Sequence, residues 1–188
     1  MEEECRVGGD SIMKNKGYTL VELIIVIAIM AILAGMSFIT IGIINQAKCS
    51  AAVTTVDNQL SSCLIRTKAV SNVATPMCMV VVQRNDGTFA IMTGKLDSSG
   101  ALTYDDPNVD DNCEAILPRQ IHKIEYTPSP AAQEFSAANG EMVIQFVKSD
   151  GSVKYGAGEY KMFTQRQGGE HLCATIVVEA SSGKHYIK

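Results

Sequence analysis

The feature that most constrains this chain is the run from Leu20 to Ile44, in which Glu22 is the only charged residue. About 18 or more apolar residues in a row nominate a membrane span, because about 20 helical residues cross the hydrocarbon core. The whole chain is 188 residues long, 46% hydrophobic and 19% charged. That length suits one domain plus an appendage, not two independent cores. The formal net charge is −4, whereas a dedicated nucleic-acid-binding domain carries a basic excess. Nucleic acid is therefore not an expected partner, and a purely cytosolic protein is not the expectation.

What precedes the run sets its orientation. Residues 1–12 are acidic (Glu2, Glu3, Glu4, Asp10) and show no apolar period, whereas Lys14 and Lys16 stand directly before the apolar segment. Positive charge marks the cytoplasmic side of a first span, and acidic residues weigh little in that rule. The polypeptide after the run is expected outside. A start of translation at Met13 is also expected, because Val7-Gly8-Gly9-Asp10 can be encoded by a purine-rich stretch like a ribosome-binding site. Residues 1–12 are set apart from the fold on that ground.

Glu22 is the anomaly. On insertion scales an acidic side chain inside a bilayer costs roughly 2.5–3.5 kcal/mol, and no Lys, Arg or His occurs between Lys16 and Lys48. A counter-charge must come from elsewhere. An ordinary anchor leaves that carboxylate unexplained, and the apolar region is long for a signal peptide cut near Gly35-Met36-Ser37.

Lys16-Gly17-Tyr18-Thr19-Leu20-Val21-Glu22 resembles the cleavage and methylation signal of type IV pilins and type II secretion pseudopilins. The resemblance implies that prepilin peptidase cuts between Gly17 and Tyr18 and methylates the new amine of Tyr18. The family more often has Phe or Met at that place. Many major pilins carry proline where this chain has Ile39, so its absence tilts the resemblance toward a minor pilin or a pseudopilin. The implied partners are other pilin subunits, prepilin peptidase, an assembly platform with its ATPase, and membrane lipid; no cofactor is implied. The implied location is the cytoplasmic membrane, single-pass with the head outside, then an extracellular filament.

Elementary electrostatics then supplies the counter-charge. A free α-amine titrates near 7.7–8.0, and a helix N-terminus adds roughly half a positive charge. Glu22 of the same or a neighbouring subunit could neutralise both. Such a pair specifies helix stagger more than it adds net stability.

The run continues without Pro or Gly from Asn45 to Asn72. Ala52, Val56, Leu60, Cys63, Thr67 and Val70 recur at helical spacing, which predicts one helix over 18–72 with an amphipathic second part. From Met77 the pattern becomes short strands. Met77–Gln83 and 88–93 flank Asn85-Asp86-Gly87; Met142–Val147 and Val153–Tyr155 flank Ser149-Asp150-Gly151-Ser152; and 172–178 turns at Ser181-Ser182-Gly183 into 184–187. Leu172, Ala174, Ile176 and Val178 should share one face. Ile121–Tyr126 and Glu159–Phe163 read as further strands. The expected organisation is a removed leader (1–17), an apolar transmembrane and filament-core helix (18–44), and a head (45–188) holding the amphipathic helix 45–72 and a β-rich part 77–188. The class is α+β, a long helix packed on an antiparallel sheet. The C-terminal pattern also resembles, loosely, H-type minor pseudopilins.

Five cysteines follow the leader, an odd number that leaves at least one unpaired within the chain. Cys49 and Cys63 are about 21 Å apart along one helix, beyond disulfide reach. Cys113 with Cys173 is the first pair to test, both lying in the β-rich part. Asp106-x-Asn108-x-Asp110 matches the opening of a calcium loop, but Asp111 stands where Gly is needed and Leu117 where Glu is needed; a solvated turn fits better, and no metal site is assigned. His122, His171 and His185 have no ligand spacing. No phosphate loop, nucleophile elbow or paired carboxylates stand out, so an enzyme is not expected. Within the filament class a competence pilin for DNA uptake, and outside it a membrane-anchored adhesin, are the alternatives.

Overall fold

The computed structural model describes residues 18–69, 76–97, 99–131, 140–166 and 169–188; the side chains of 36–41 and Arg166 are outside the description. The chain divides into two compact units, residues 1–41 and 42–188. Helix α1 runs from Leu20 to Ala69. The expected end at residue 72, with Val70, lies outside the described residues.

In the first unit α1 is apolar on every side, and its described side chains are exposed, from Leu20 at 76% to Ile24 at 51%. The second unit is built on the amphipathic stretch of α1. Ala52, Val53, Val56 and Leu60 are buried there, and Thr67 at the end of the stripe is 8% exposed.

Ten strands follow among the described residues: β1 Met77–Gln83, β2 Phe89–Leu96, β3 Leu102–Thr103, β4 Ala115–Ile116, β5 Ile121–Pro128, β6 Met142–Phe146, β7 Val153–Tyr155, β8 Gly158–Arg166, β9 Gly169–Val178 and β10 His185–Ile187. They form two antiparallel sheets in place of the single sheet expected. One has the order β3-β2-β1-β6-β7 with β4 also on β2, and the other β10-β9-β8-β5. The hairpins read from turn chemistry are all present: β1 pairs β2, β6 pairs β7, and β9 pairs β10. The first turns where Gly87 takes φ +81, a conformation open to glycine, while Asp86 Oδ1 accepts from Thr88 N at 2.9 Å.

The main core lies where α1 meets both sheets. Val56 and Leu60 pack with Met79, Val81, Ile91, Ile144 and Phe146 of one sheet and with Tyr160, Met162, Ile176 and Val178 of the other. The six-stranded sheet is also covered on its far face. Cys78, Val80, Leu96 and Val143 pack under Leu102, Tyr104 and Tyr155; Val82, Ala90 and Met92 pack under Tyr104 and Cys113. Strand β1 is therefore buried on both faces, which explains its unbroken apolar sequence from Met77 to Val82. Tyr104 serves both small clusters, and its hydroxyl donates to Glu141 Oε1 at 2.9 Å.

Candidate functional site: the start of the helix

Thr19 precedes the first helical residue and is its N-cap. Its hydroxyl accepts from Glu22 N at 3.2 Å, and Glu22 Oε2 accepts in return from Thr19 N at 2.9 Å and Thr19 Oγ1 at 3.0 Å. This reciprocal capping box satisfies backbone N–H groups that the first helical turn cannot pair internally. The signal was present in the sequence as Thr19-x-x-Glu22, but reading Glu22 as a charge in search of a partner passed over it. Among the described residues no cation lies within salt-bridge distance of Glu22. Tyr18 is 86% exposed, and Gly17, the other half of the expected cleavage bond, lies outside the described residues.

The box fixes the acid's position in the helix. It is satisfied by hydrogen bonds and not neutralised, so it stays available to a cation arriving at the helix N-terminus, where a negative side chain is favoured by the helix dipole.

Residues 12–38 match the family model described as the prokaryotic N-terminal methylation motif. The chain carries the type IV pilin and pseudopilin signal. The motif spans Gly17, Tyr18 and Glu22, and it supports a pilin-like or pseudopilin subunit. Comparison with curated proteins and with solved structures returns no match. Among the described residues, no helix is long and apolar enough to cross a membrane.

The other residues singled out from the sequence are placed in the head. The pairing of Cys113 with Cys173 is corrected: Cys173 is bonded to Cys49, with Cα atoms 5.8 Å apart, and Cys113 is free. The Cys113 Sγ donates instead to the carbonyls of Pro107 and Val109 at 3.4 and 3.5 Å, within its own loop. Cys173 faces α1 because it is the extra residue of a bulge: Met162 stands opposite Ala174 and Phe163 opposite Leu172. The same bulge breaks the expected alternation and leaves Leu172 54% exposed. Strict period-two reading does not contain a bulge, which is why both the pair and the exposure of Leu172 were missed.

The calcium-like loop is a turn held by its own groups. Asp106 Oδ1 accepts from Asn108 N at 2.9 Å and Nδ2 at 3.0 Å, and these bonds hold its carboxyl below the usual aspartate range. Asn108 Oδ1 accepts from Asn85 N at 3.0 Å, and Asp110 pairs with Arg84 at 2.5 Å. The loop is thereby stitched to the β1–β2 turn. Among the described residues, no group of three or more His, Cys, Asp or Glu could hold a metal ion.

The three histidines stand apart. His171 is exposed, and His122 lies 3.2 Å from Glu170. His185 Nε2 lies 3.0 Å from Ser61 Oγ and 3.5 Å from Asp57 Oδ1. These residue types invite comparison with a hydrolytic triad, but the geometry differs. A triad needs the carboxylate on one ring nitrogen and the serine on the other, whereas here both meet Nε2, and Nδ1 is buried with no partner among the described residues. The contact pins β10 to α1. Arg66 makes a second pin, its two Nη atoms reaching Glu114 at 2.6 and 3.2 Å while Thr93 Oγ1 donates to the same carboxylate at 3.0 Å.

Proposed function

We propose that this chain is a structural subunit, a minor pilin or pseudopilin, of a type IV pilus or a related secretion pseudopilus. The observation that carries the reading is the methylation motif over residues 12–38 lying across the start of an apolar helix. Prepilin peptidase cuts between Gly17 and Tyr18 on the cytoplasmic side and N-methylates Tyr18. The sequence supports burial of residues 20–44 in lipid, with the two lysines of the leader inside and the head outside. Transfer into a filament then exchanges one apolar environment for another, so extraction does not expose the helix to water. The disulfide in the head supports the outward placement, since such bonds persist in oxidising compartments.

Cleavage places a cationic amine four residues before Glu22, and the carboxylate neutralises it on the same or an adjacent subunit. The pair sets the stagger of packed helices because a shifted register leaves a charge uncompensated in an apolar core. The test is mass spectrometry of the chain from cells with and without prepilin peptidase. The expected product begins at N-methyl-Tyr18 only when the peptidase is present. A different first residue, or identical mass in both cells, overturns the reading.

A further inference from the structure

The Cys49–Cys173 bond sits at a boundary in both elements it joins. On α1 the side chains of residues 46–48 are exposed, Cys49 is half-buried, and the first buried residues are Ala52 and Val53. On β9 the residues past the bulge, Ile176 and Val178, belong to the main core, whereas Glu170, His171 and Leu172 before it are exposed. Among the described residues, 163–172 contribute no hydrophobic side chain to that core, and Thr164 is their one buried residue. The outer part of the β8–β9 hairpin is held by its ladder, by β5 opposite Phe163 and Thr164, by Glu170 bonding to His122 and Lys123 at 3.2 Å each, and by the disulfide, and beyond Thr164 the β5 pairing runs out.

We propose that Cys49–Cys173 is a redox latch: it fastens the outer β8–β9 hairpin to the first head-borne turns of α1, and it is the one thiol couple of the described head that can switch. The inference rests on the head alone and not on the filament reading. On closing, the two thiols give up two protons and two electrons as the S–S bond forms, and a disulfide of an exchange partner accepts them to become two thiols. Opening is the reverse, through attack by an external dithiol and a mixed disulfide. Cys49 and Cys173 are both half-buried, so a small thiol can reach them.

The other thiols are poor competitors, because the thiolate is the attacking species. Burial pushes Cys63 up to about 11 and Cys78 up to about 12. Cys113 is also raised by desolvation, and its thiol donates to two carbonyls. The five cysteines of the head thus include a single exchangeable pair.

The test uses the full-length chain in detergent micelles and peptide-resolved hydrogen exchange during a dithiothreitol titration. Peptides covering 45–51 and 163–173 should lose protection about tenfold while those of β1 and β2 stay within about twofold, and glutathione disulfide should restore the starting pattern. The variant Cys49→Ser/Cys173→Ser should reproduce the reduced pattern and ignore the reductant. Unchanged exchange on reduction overturns the latch. So does an equal loss across both sheets, or a double variant that fails to fold, because either outcome makes the bond a global staple.

Discussion

The two halves of α1 are one continuous helix built for two different surroundings. From Leu20 to Ile44 the sequence is apolar on every side, and the large apolar side chains described there are about half or more exposed, as at Ile27 (54%) and Ile43 (63%). From Ala52 to Thr67 one stripe is buried and the other positions, the exposed Ile65 apart, are polar, small or charged. An apolar stripe marks a helix with one partner surface, whereas apolarity all round marks burial on every side. The head supplies the surface for the second half. The first half carries a large exposed apolar surface of the kind that signals lipid or protein contact.

Replacing a side chain on the buried stripe is the largest single perturbation of this contrast. Leu60 is fully buried between the sheets, so Leu60→Ala should destabilise the head by about 2–5 kcal/mol through lost burial and a residual cavity. Ile27→Ala, at an exposed position, should shift the same unfolding transition by less than about 0.5 kcal/mol. Denaturant unfolding of the two variants, followed through the head, makes the comparison. Equal losses would break the division of labour within the helix.

Much of the contrast was legible beforehand because it is written in periodicity. Ala52, Val56, Leu60 and Thr67 fall on the stripe that helical spacing predicts, and the β1–β2, β6–β7 and β9–β10 hairpins follow from Asp86-Gly87, Asp150-Gly151 and Ser182-Gly183. What escaped depends on contacts that no local pattern encodes. The split into two sheets follows from strand pairings distant in sequence, and the short strands β3 and β4 lie in the segment after β2 that folds over the far face of β1, where Tyr104 meets Val80, Val82 and their neighbours. The Cys49–Cys173 pair depends on a bulge that inserts one residue into a regular alternation. At the start of α1 the capping box was written in full, yet the search for an ionic partner hid the local role of Glu22.

A smaller effect comes from the pin at the far end of the helix. Hydrogen bonds from Arg66, with help from Thr93, hold the Glu114 carboxyl below its ordinary value of 4.5. A lowered folded pKa contributes stability that is present above the unfolded value and fades as pH falls through the folded one. Both side chains are substantially exposed, 44% and 31%, so solvent screening limits the pair to no more than about 1 kcal/mol. The melting temperature of Glu114→Gln should lie slightly below that of the wild type at neutral pH. The gap should close on acidification below the usual carboxylate range. A gap that widens in acid would assign the contact no ionic role.

The smallest effect on the head, with the largest on assembly, is expected at Glu22, and two substitutions separate its two roles. Glutamine keeps an acceptor at the third helical position and so preserves the box with Thr19, but carries no charge; alanine removes both. Neither should move the head's unfolding transition, since Glu22 belongs to the first unit and the head's core begins on α1 at Ala52. If charge pairing with the Tyr18 amine sets the stagger, Glu22→Gln and Glu22→Ala should lose filament incorporation to a similar degree while both remain membrane-inserted. If the box alone matters, glutamine should assemble as the wild type does and alanine should not. Quantifying sheared filaments against membrane-retained subunit for the two variants decides between hydrogen-bonded geometry and charge. An outcome in which both variants assemble normally removes Glu22 from the mechanism altogether.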